Sequence, residues 1–158
     1  MSQLFVSTMV SVLVLVSTNA FAGNSHGKGG SKFDQKPNPI SSGYNGPDAA
    51  LAQAVDSQKR VDFVEAQDMK VVEVLPDDTQ GLPHQKFNVQ LSSRSVVTII
   101  SNLDMCPHIP VQAGDIVGAG GQFIPTGKKS GILHWVHKDP RKIRPDGYVE
   151  FKGQQFCK

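Results

Sequence analysis

The stretch GDIVGAGGQF, residues 114–123, has the pattern that decides the fold. A Gly-Asp turn precedes an extended run from Ile116 to Phe123, and Gly120 lies four residues after Ile116, the first hydrophobic residue of that run. A glycine-containing strand entered in this way is typical of a small closed barrel, in which glycines mark bends. The rest of the chain is therefore expected to supply the other strands of a barrel.

The other strand-like segments are short and are separated by breaker residues. They cover residues 70–75, 84–91, 95–101, 132–137, 148–151 and 155–156. Asp48 is a good helix N-cap, and the alanine-rich residues after it predict a helix over residues 49–59. A meander, a long connection and a final hairpin predict a mainly β fold: a small antiparallel OB-like barrel of five to six strands with one short N-terminal helix. A β-sandwich is the alternative.

The N-terminus has the form of an export signal. An apolar run from Leu4 to Val16 precedes an Ala-x-Ala site at residues 20–22, although no Lys or Arg precedes the run. We therefore expect a cleaved signal peptide over 1–22, a disordered Gly/Ser/Pro-rich spacer over 23–47, and one domain over 48–158. The mature protein should be periplasmic or extracellular, with no transmembrane segment after signal cleavage.

The cysteine count agrees with an oxidising compartment. Cys106 and Cys157 are the only two cysteines, and an even number in an exported chain predicts a disulfide. Metal ligation by the pair is the alternative, although neither cysteine belongs to a CxxC motif. The formal net charge of +2 argues against bulk electrostatic capture of nucleic acid but leaves a local basic patch open.

A polar cluster begins within the predicted strand 132–137 and extends just past its end. His134, His137 and Asp139 lie within six residues, and His84 begins another strand. If a turn near Val136 brings the two nearer histidines together, these four residues form a candidate site for zinc or another divalent metal. They are also candidate catalytic acid–base groups. The alternative is a structural hydrogen-bond network, with Asp139 before proline as a turn former.

Basic and aromatic residues surround the same cluster. Trp135, His137, Arg141 and Arg144 are the candidate ligand-binding residues. Cations and aromatics on one barrel face suit an anionic ligand, such as single-stranded nucleic acid, or a glycan. A solvated loop explains the same residues without a function.

The assembled motifs resemble the DUF3465 family of small exported bacterial proteins with a domain of unknown function. The matching motifs are VLPDD at 74–78, HQKF at 84–87, NLD at 102–104, HWVHKDP at 134–140 and DGY at 146–148. The resemblance covers roughly residues 61–156 and implies export and a small domain. The family brings no established activity with it.

Three functions remain open at this point. The first is a non-enzymatic exported binding module for an anionic or polymeric ligand on an OB-like face. The second is a metal-dependent hydrolase, resembling a phosphodiesterase or nuclease, that uses the His/Asp cluster. The third is an envelope protein that acts through a protein partner. Fold analogy and the local composition around Trp135 favour a binding module over an enzyme. No nucleophile elbow, P-loop, HExxH motif or CxxC pair in the sequence supports a better-known enzyme class.

Overall fold

The computed structural model describes residues 44–78 and 81–158, which contain one helix and seven strands. The predicted signal peptide and residues 23–43 of the predicted spacer lie outside the described residues. The elements are α1 (Ala49–Ser57), β1 (Val61–Asp78), β2 (His84–Gln90), β3 (Val96–Asn102), β4 (Ile116–Gly127), β5 (Ser130–His134), β6 (Tyr148–Phe151) and β7 (Gln154–Phe156). No helix in this part of the chain is long and apolar enough to cross a membrane.

Five of the strands form a ring. The sheet order is β1-β2-β3-β5-β4-β6-β7, and β1 also pairs with β4, so that β1 to β5 close on themselves. The mainly β, barrel-like prediction is thereby confirmed. Two details differ from it: the described residues contain seven strands, compared with the predicted five to six, and β3 pairs with β5 in parallel. In a ring of five strands the directions cannot all alternate, so at least one neighbouring pair must be parallel.

The long strand β1 makes the closure possible. Its first part, from Val61 to Lys70, pairs with β4, and its second part, from Lys70 to Asp78, pairs with β2. Between the β4-paired residues Ala66 and Met69 the register shifts, and Asp68 has a left-handed backbone with φ of 57°. A bulge of this kind bends a strand and increases its twist. The single strand β1 can therefore pair with both β2 and β4, which closes the ring.

The helix closes one side of the core. Leu51 and Val55 are fully buried members of the same core cluster as Phe87 and Phe123. The helix ends at residue 57 rather than at the predicted 59. Asp48 precedes the helix but does not cap it with its side chain; instead its carboxylate accepts hydrogen bonds from Ser92 N–H (2.6 Å) and Ser92 Oγ (2.7 Å). This contact ties the helix start to the β2–β3 turn.

Gly131 in β5 makes room for the largest core side chain beside it. A Cβ atom added at Gly131 would lie 2.1 Å from Cε2 of Phe123 and 2.8 Å from the Ile124 carbonyl oxygen. Both distances are far shorter than van der Waals contact, and the Phe123 ring is fully buried in the core, where side chains are close-packed. The pairing of β5 with β4 therefore requires glycine at this position.

We expect Gly131→Ala to lower the free energy of unfolding by about 1–3 kcal/mol, the usual cost of overpacking a core. Gly127→Ala is the matched control, because an added Cβ there meets only the Ser130 side-chain oxygen at 3.2 Å. Urea denaturation followed by circular dichroism measures both variants. Equal stability of the two variants would contradict the proposed packing.

Candidate functional site

A groove of about 350 Å³ opens at one end of the barrel. Its lining comes from the β1–β2 loop, the start of β2, the end of β3, the β3–β4 loop, and the end of β5 with the segment that follows. The lining residues are Leu82, His84, Ile100, Asn102, Met105, His134, Trp135, His137 and Pro140.

The sheet register places the floor of this groove. His84 lies opposite Asn102 in the antiparallel pair β2–β3. Because β3 and β5 run in the same direction, their last residues lie at the same edge, which brings Ile100 and His134 beside that pair. These four side chains are half-buried, whereas the residues between them face the core, as strand alternation requires.

Trp135 forms a wall of the groove immediately after β5. Its backbone is left-handed, with φ of 55°, which is uncommon for a residue other than glycine. This conformation ends the strand alternation, so His134 and His137 both line the groove, as the predicted shared site required. The Trp135 ring lies 5.1 Å from the His137 ring, and Cζ of Arg144 lies 4.8 Å from the centre of the Trp135 ring. The cation–π contact attaches the basic loop to the aromatic wall.

The wall is held against the barrel by a close backbone approach. Gly147 N–H donates to the carbonyl oxygen of His137 at 2.9 Å. A Cβ atom at Gly147 would lie 2.0 Å from the Trp135 carbonyl oxygen and 2.8 Å from the Gly120 carbonyl oxygen. Only glycine allows the segment after β5 to lie this close to the start of β6.

Asp139 organises the loop rather than the groove. Its carboxylate accepts hydrogen bonds from the backbone N–H groups of Arg141 (3.0 Å), Ile143 (2.9 Å) and Arg144 (2.8 Å), while its own N–H donates to Asp146. Burial raises the pKa of the Asp139 carboxyl, but the three backbone hydrogen bonds outweigh burial and hold this pKa below its ordinary value. The carboxylate therefore fixes the path of residues 139–144.

The four predicted metal or acid–base residues are brought together only in part. His84, His134 and His137 line the groove, and Asp139 does not. Within residues 44–78 and 81–158, no group of three or more His, Cys, Asp or Glu side chains is placed to hold a metal ion. The separation arises because the Asp139 carboxylate turns back onto its own loop.

His134 has a defined hydrogen-bond partner that the sequence analysis missed. Its Nε2 lies 2.8 Å from Oε1 of Gln122, and Nε2 of Gln122 lies 3.2 Å from Oδ1 of Asp62. Burial lowers the pKa of His134, and the positive charges of Arg60 and Arg144 and the nearby His137 lower it further. Gln122 is the one polar side chain inside the run 116–124, which was a signal for a buried hydrogen-bonding role.

Two apolar residues on the groove rim were also missed. Leu82 is 61% exposed and Met105 is 41% exposed, although both are large hydrophobic side chains. The sequence offered one indication of an exposed apolar surface: both residues lie in loops, where most residues are polar. Apart from Trp135 and the histidines, most of the groove lining is therefore apolar, because it consists of these two residues with Ile100 and Pro140.

The segment after Val136 carries a local basic patch, formed by Lys138, Arg141, Lys142 and Arg144. Arg144 is half-buried over Trp135, and the other three are exposed. The ion pairs found in the described residues are Arg60 with Asp62 and His108 with Asp77, and neither involves a residue of this patch.

The predicted disulfide is confirmed, and it lies beside the groove. The sulfur atoms of Cys106 and Cys157 are 2.15 Å apart and join positions separated by 51 residues. Met105 on one side of the groove is adjacent to the bridge, and Lys138 N–H on the other side donates to the Cys157 carbonyl oxygen at 2.7 Å. In the chain-entropy model a bridge over a loop of this length stabilises the fold by about 4 kcal/mol. The bridge therefore connects both sides of the groove.

Comparison with known proteins gives one match. Residues 38–157, more than half of the 158-residue chain, match the family described as Protein of unknown function (DUF3465). No curated protein and no solved structure matched the chain.

We expect Asp139→Asn to lower the free energy of unfolding at neutral pH, because an amide cannot accept all three backbone hydrogen bonds. The wild-type carboxylate has a lower pKa in the folded than in the unfolded state. Its stabilisation is therefore complete above about pH 4, the unfolded value, and is lost as the pH falls through the folded pKa. The stability difference between wild type and variant should shrink over that range.

Urea denaturation between about pH 3 and pH 7 measures this difference. Asp104→Asn, which changes an exposed carboxylate in the β3–β4 loop, is the control. If Asp139→Asn were as stable as the control at neutral pH, Asp139 would not organise the loop.

Proposed function

We propose that this chain, which belongs to the DUF3465 family, is an exported binding module that holds an anionic polymer in the groove beside Trp135. The observation that carries the proposal is the combination of an apolar, aromatic groove with the adjacent basic patch. Each part has a separate consequence for the ligand.

The groove favours a ligand with a flat or apolar face. Leu82 and Met105 are exposed residues of its lining, which also includes Trp135. Ligand sites are typically concave, largely apolar, and supplied with a few polar groups that fix orientation. The volume of about 350 Å³ is suited to one ring-sized unit rather than to a protein domain.

The basic patch favours a ligand that also carries negative charge. The formal net charge of the whole chain is only +2, so attraction to an anion must be local. Lys138, Arg141, Lys142 and Arg144 lie on the segment that leaves the groove, which suits a polymer whose charged backbone continues past the bound unit.

The position in the fold is a supporting analogy. OB-type barrels bind oligonucleotides and oligosaccharides on the face of their second and third strands. His84 in β2 and Ile100 and Asn102 in β3 lie in the groove on the corresponding face. A fold analogy does not establish a function, and the proposal depends on the side chains.

We favour binding over metal-dependent hydrolysis because of the geometry of Asp139. Its two carboxylate oxygens are engaged by three backbone N–H groups, which leaves imidazoles as the remaining members of the predicted ligand set. Export remains part of the proposal and is supported by the apolar run and Ala-x-Ala site before residue 23 and by the disulfide.

The test uses the mature protein with labelled oligothymidylate and labelled oligogalacturonate, followed by fluorescence anisotropy at low salt. We expect at least one probe to bind, and Arg141→Glu with Arg144→Glu to weaken its affinity by about tenfold or more. The physical reason is that each reversal replaces attraction for the anionic backbone by repulsion.

Lys128→Glu with Lys129→Glu is the matched control, because it makes the same charge change in the β4–β5 turn at the opposite ends of β3 and β5. The control should bind within about threefold of wild type. Binding of neither probe by the wild type, or an equal loss in both double variants, would refute the proposed site.

A further inference from the structure

Three polar side chains form a chain of hydrogen bonds across three neighbouring strands. Gln122 and His134 are opposite each other in the β4–β5 pair, so their side chains share a face. Asp62 follows Val61, which pairs with Phe123, and therefore lies beside Gln122 on β1. The distances are 3.2 Å from Asp62 to Gln122 and 2.8 Å from Gln122 to His134.

The chemistry of these groups fixes the direction of each hydrogen bond. An ionised carboxylate only accepts, so Gln122 donates its amide N–H to Asp62 and presents its carbonyl oxygen to His134. A carbonyl oxygen also only accepts, so Nε2 of His134 carries the hydrogen. A neutral imidazole with hydrogen on Nε2 has a lone pair on Nδ1.

The surroundings favour the neutral form of this imidazole. Burial, Arg60, Arg144 and His137 all disfavour its protonated form and lower its pKa. The carboxylate of Asp62 contacts Gln122 and not the His134 ring. The titratable side chain that β2 contributes to the groove is His84. The groove residues from β3, Ile100 and Asn102, are uncharged.

Nδ1 of His134 is open to a ligand. In the described residues, the hydrogen bond of the His134 side chain is made through Nε2, and no buried side-chain nitrogen or oxygen lacks a partner there. Nδ1 is therefore accessible to solvent, and the space beside this residue is the groove. The groove thus presents a fixed hydrogen-bond acceptor among apolar walls.

We propose that His134 is a specificity-determining residue, which accepts through Nδ1 a hydrogen bond from the ring N–H of a nucleobase held beside Trp135. This inference rests on the proposed function and names its ligand class as a unit of single-stranded nucleic acid. A nucleobase has two apolar faces and a polar edge, which matches walls from Leu82, Met105 and Trp135 around one acceptor. A sugar ring carries hydroxyl groups around its whole edge and would need many more polar partners than this groove supplies.

The experiment compares oligothymidylate with the same oligonucleotide methylated at N3 of every base, using anisotropy at neutral pH. Methylation removes the ring N–H that would donate a hydrogen bond to Nδ1 of His134, so the wild-type affinity should fall by about tenfold. In His134→Phe, which keeps a ring but has no acceptor, the two oligonucleotides should bind within about threefold of each other.

Gln122→Glu provides a second test that keeps the size of the side chain. A second carboxylate beside Asp62 stabilises protonated His134, which turns Nδ1 from an acceptor into a donor. The preference for the unmethylated probe should disappear in this variant at neutral pH. Histidine nitrogen chemical shifts of the free wild-type protein should show the neutral form of His134 with hydrogen on Nε2.

The outcomes separate this inference from the proposed function. If oligothymidylate binds and its methylated form binds equally well, the role of His134 is refuted while the binding module stands. If only oligogalacturonate binds, the nucleobase is refuted as the ligand class. If neither binds, the proposed function itself fails. A wild-type His134 with hydrogen on Nδ1 would also overturn the inference.

Discussion

The odd number of strands in the ring is the constraint on which the site depends. Five strands cannot close with alternating directions throughout, and here the parallel pair is β3 with β5. Two strands that run together end together, so the last residues of β3 and β5 lie at one edge beside the start of β2. The groove floor of His84, Ile100, Asn102 and His134 is a direct consequence of this topology. The packing of Phe123 against Gly131 maintains the same arrangement from the core side.

The groove wall depends on a different set of interactions, all in the segment after β5. Trp135 leaves the strand with a left-handed backbone, Gly147 lets the segment approach β6, and Asp139 gathers three backbone N–H groups around one carboxylate. The disulfide then connects the end of the chain to the β3–β4 loop. A wall fixed at so many points has little conformational freedom left, so binding of the proposed ligand there would cost little ordering entropy.

Local patterns in the sequence predicted the features that depend on local chemistry. Breaker residues separated the strands, alanines marked the helix, and the even cysteine count predicted the bridge between Cys106 and Cys157. The parallel pairing of β3 with β5 was not predictable in this way, because strand direction follows from ring closure. Gln122 was missed as the partner of His134, since only the β4–β5 register places them side by side. Asp139 was grouped with the histidines because spacing along the chain shows proximity but not the direction of a carboxylate.

The central claim is that this groove is where the protein meets its ligand. Its most direct test is a titration of ¹⁵N-labelled mature protein with oligothymidylate, followed through backbone amide chemical shifts. If the groove binds the ligand, the shifts will concentrate in residues 82–84, 100–105 and 134–144, which surround the groove. Shifts confined to the β4–β5 turn at residues 127–130, or to the helix, would place the binding surface elsewhere and contradict the account.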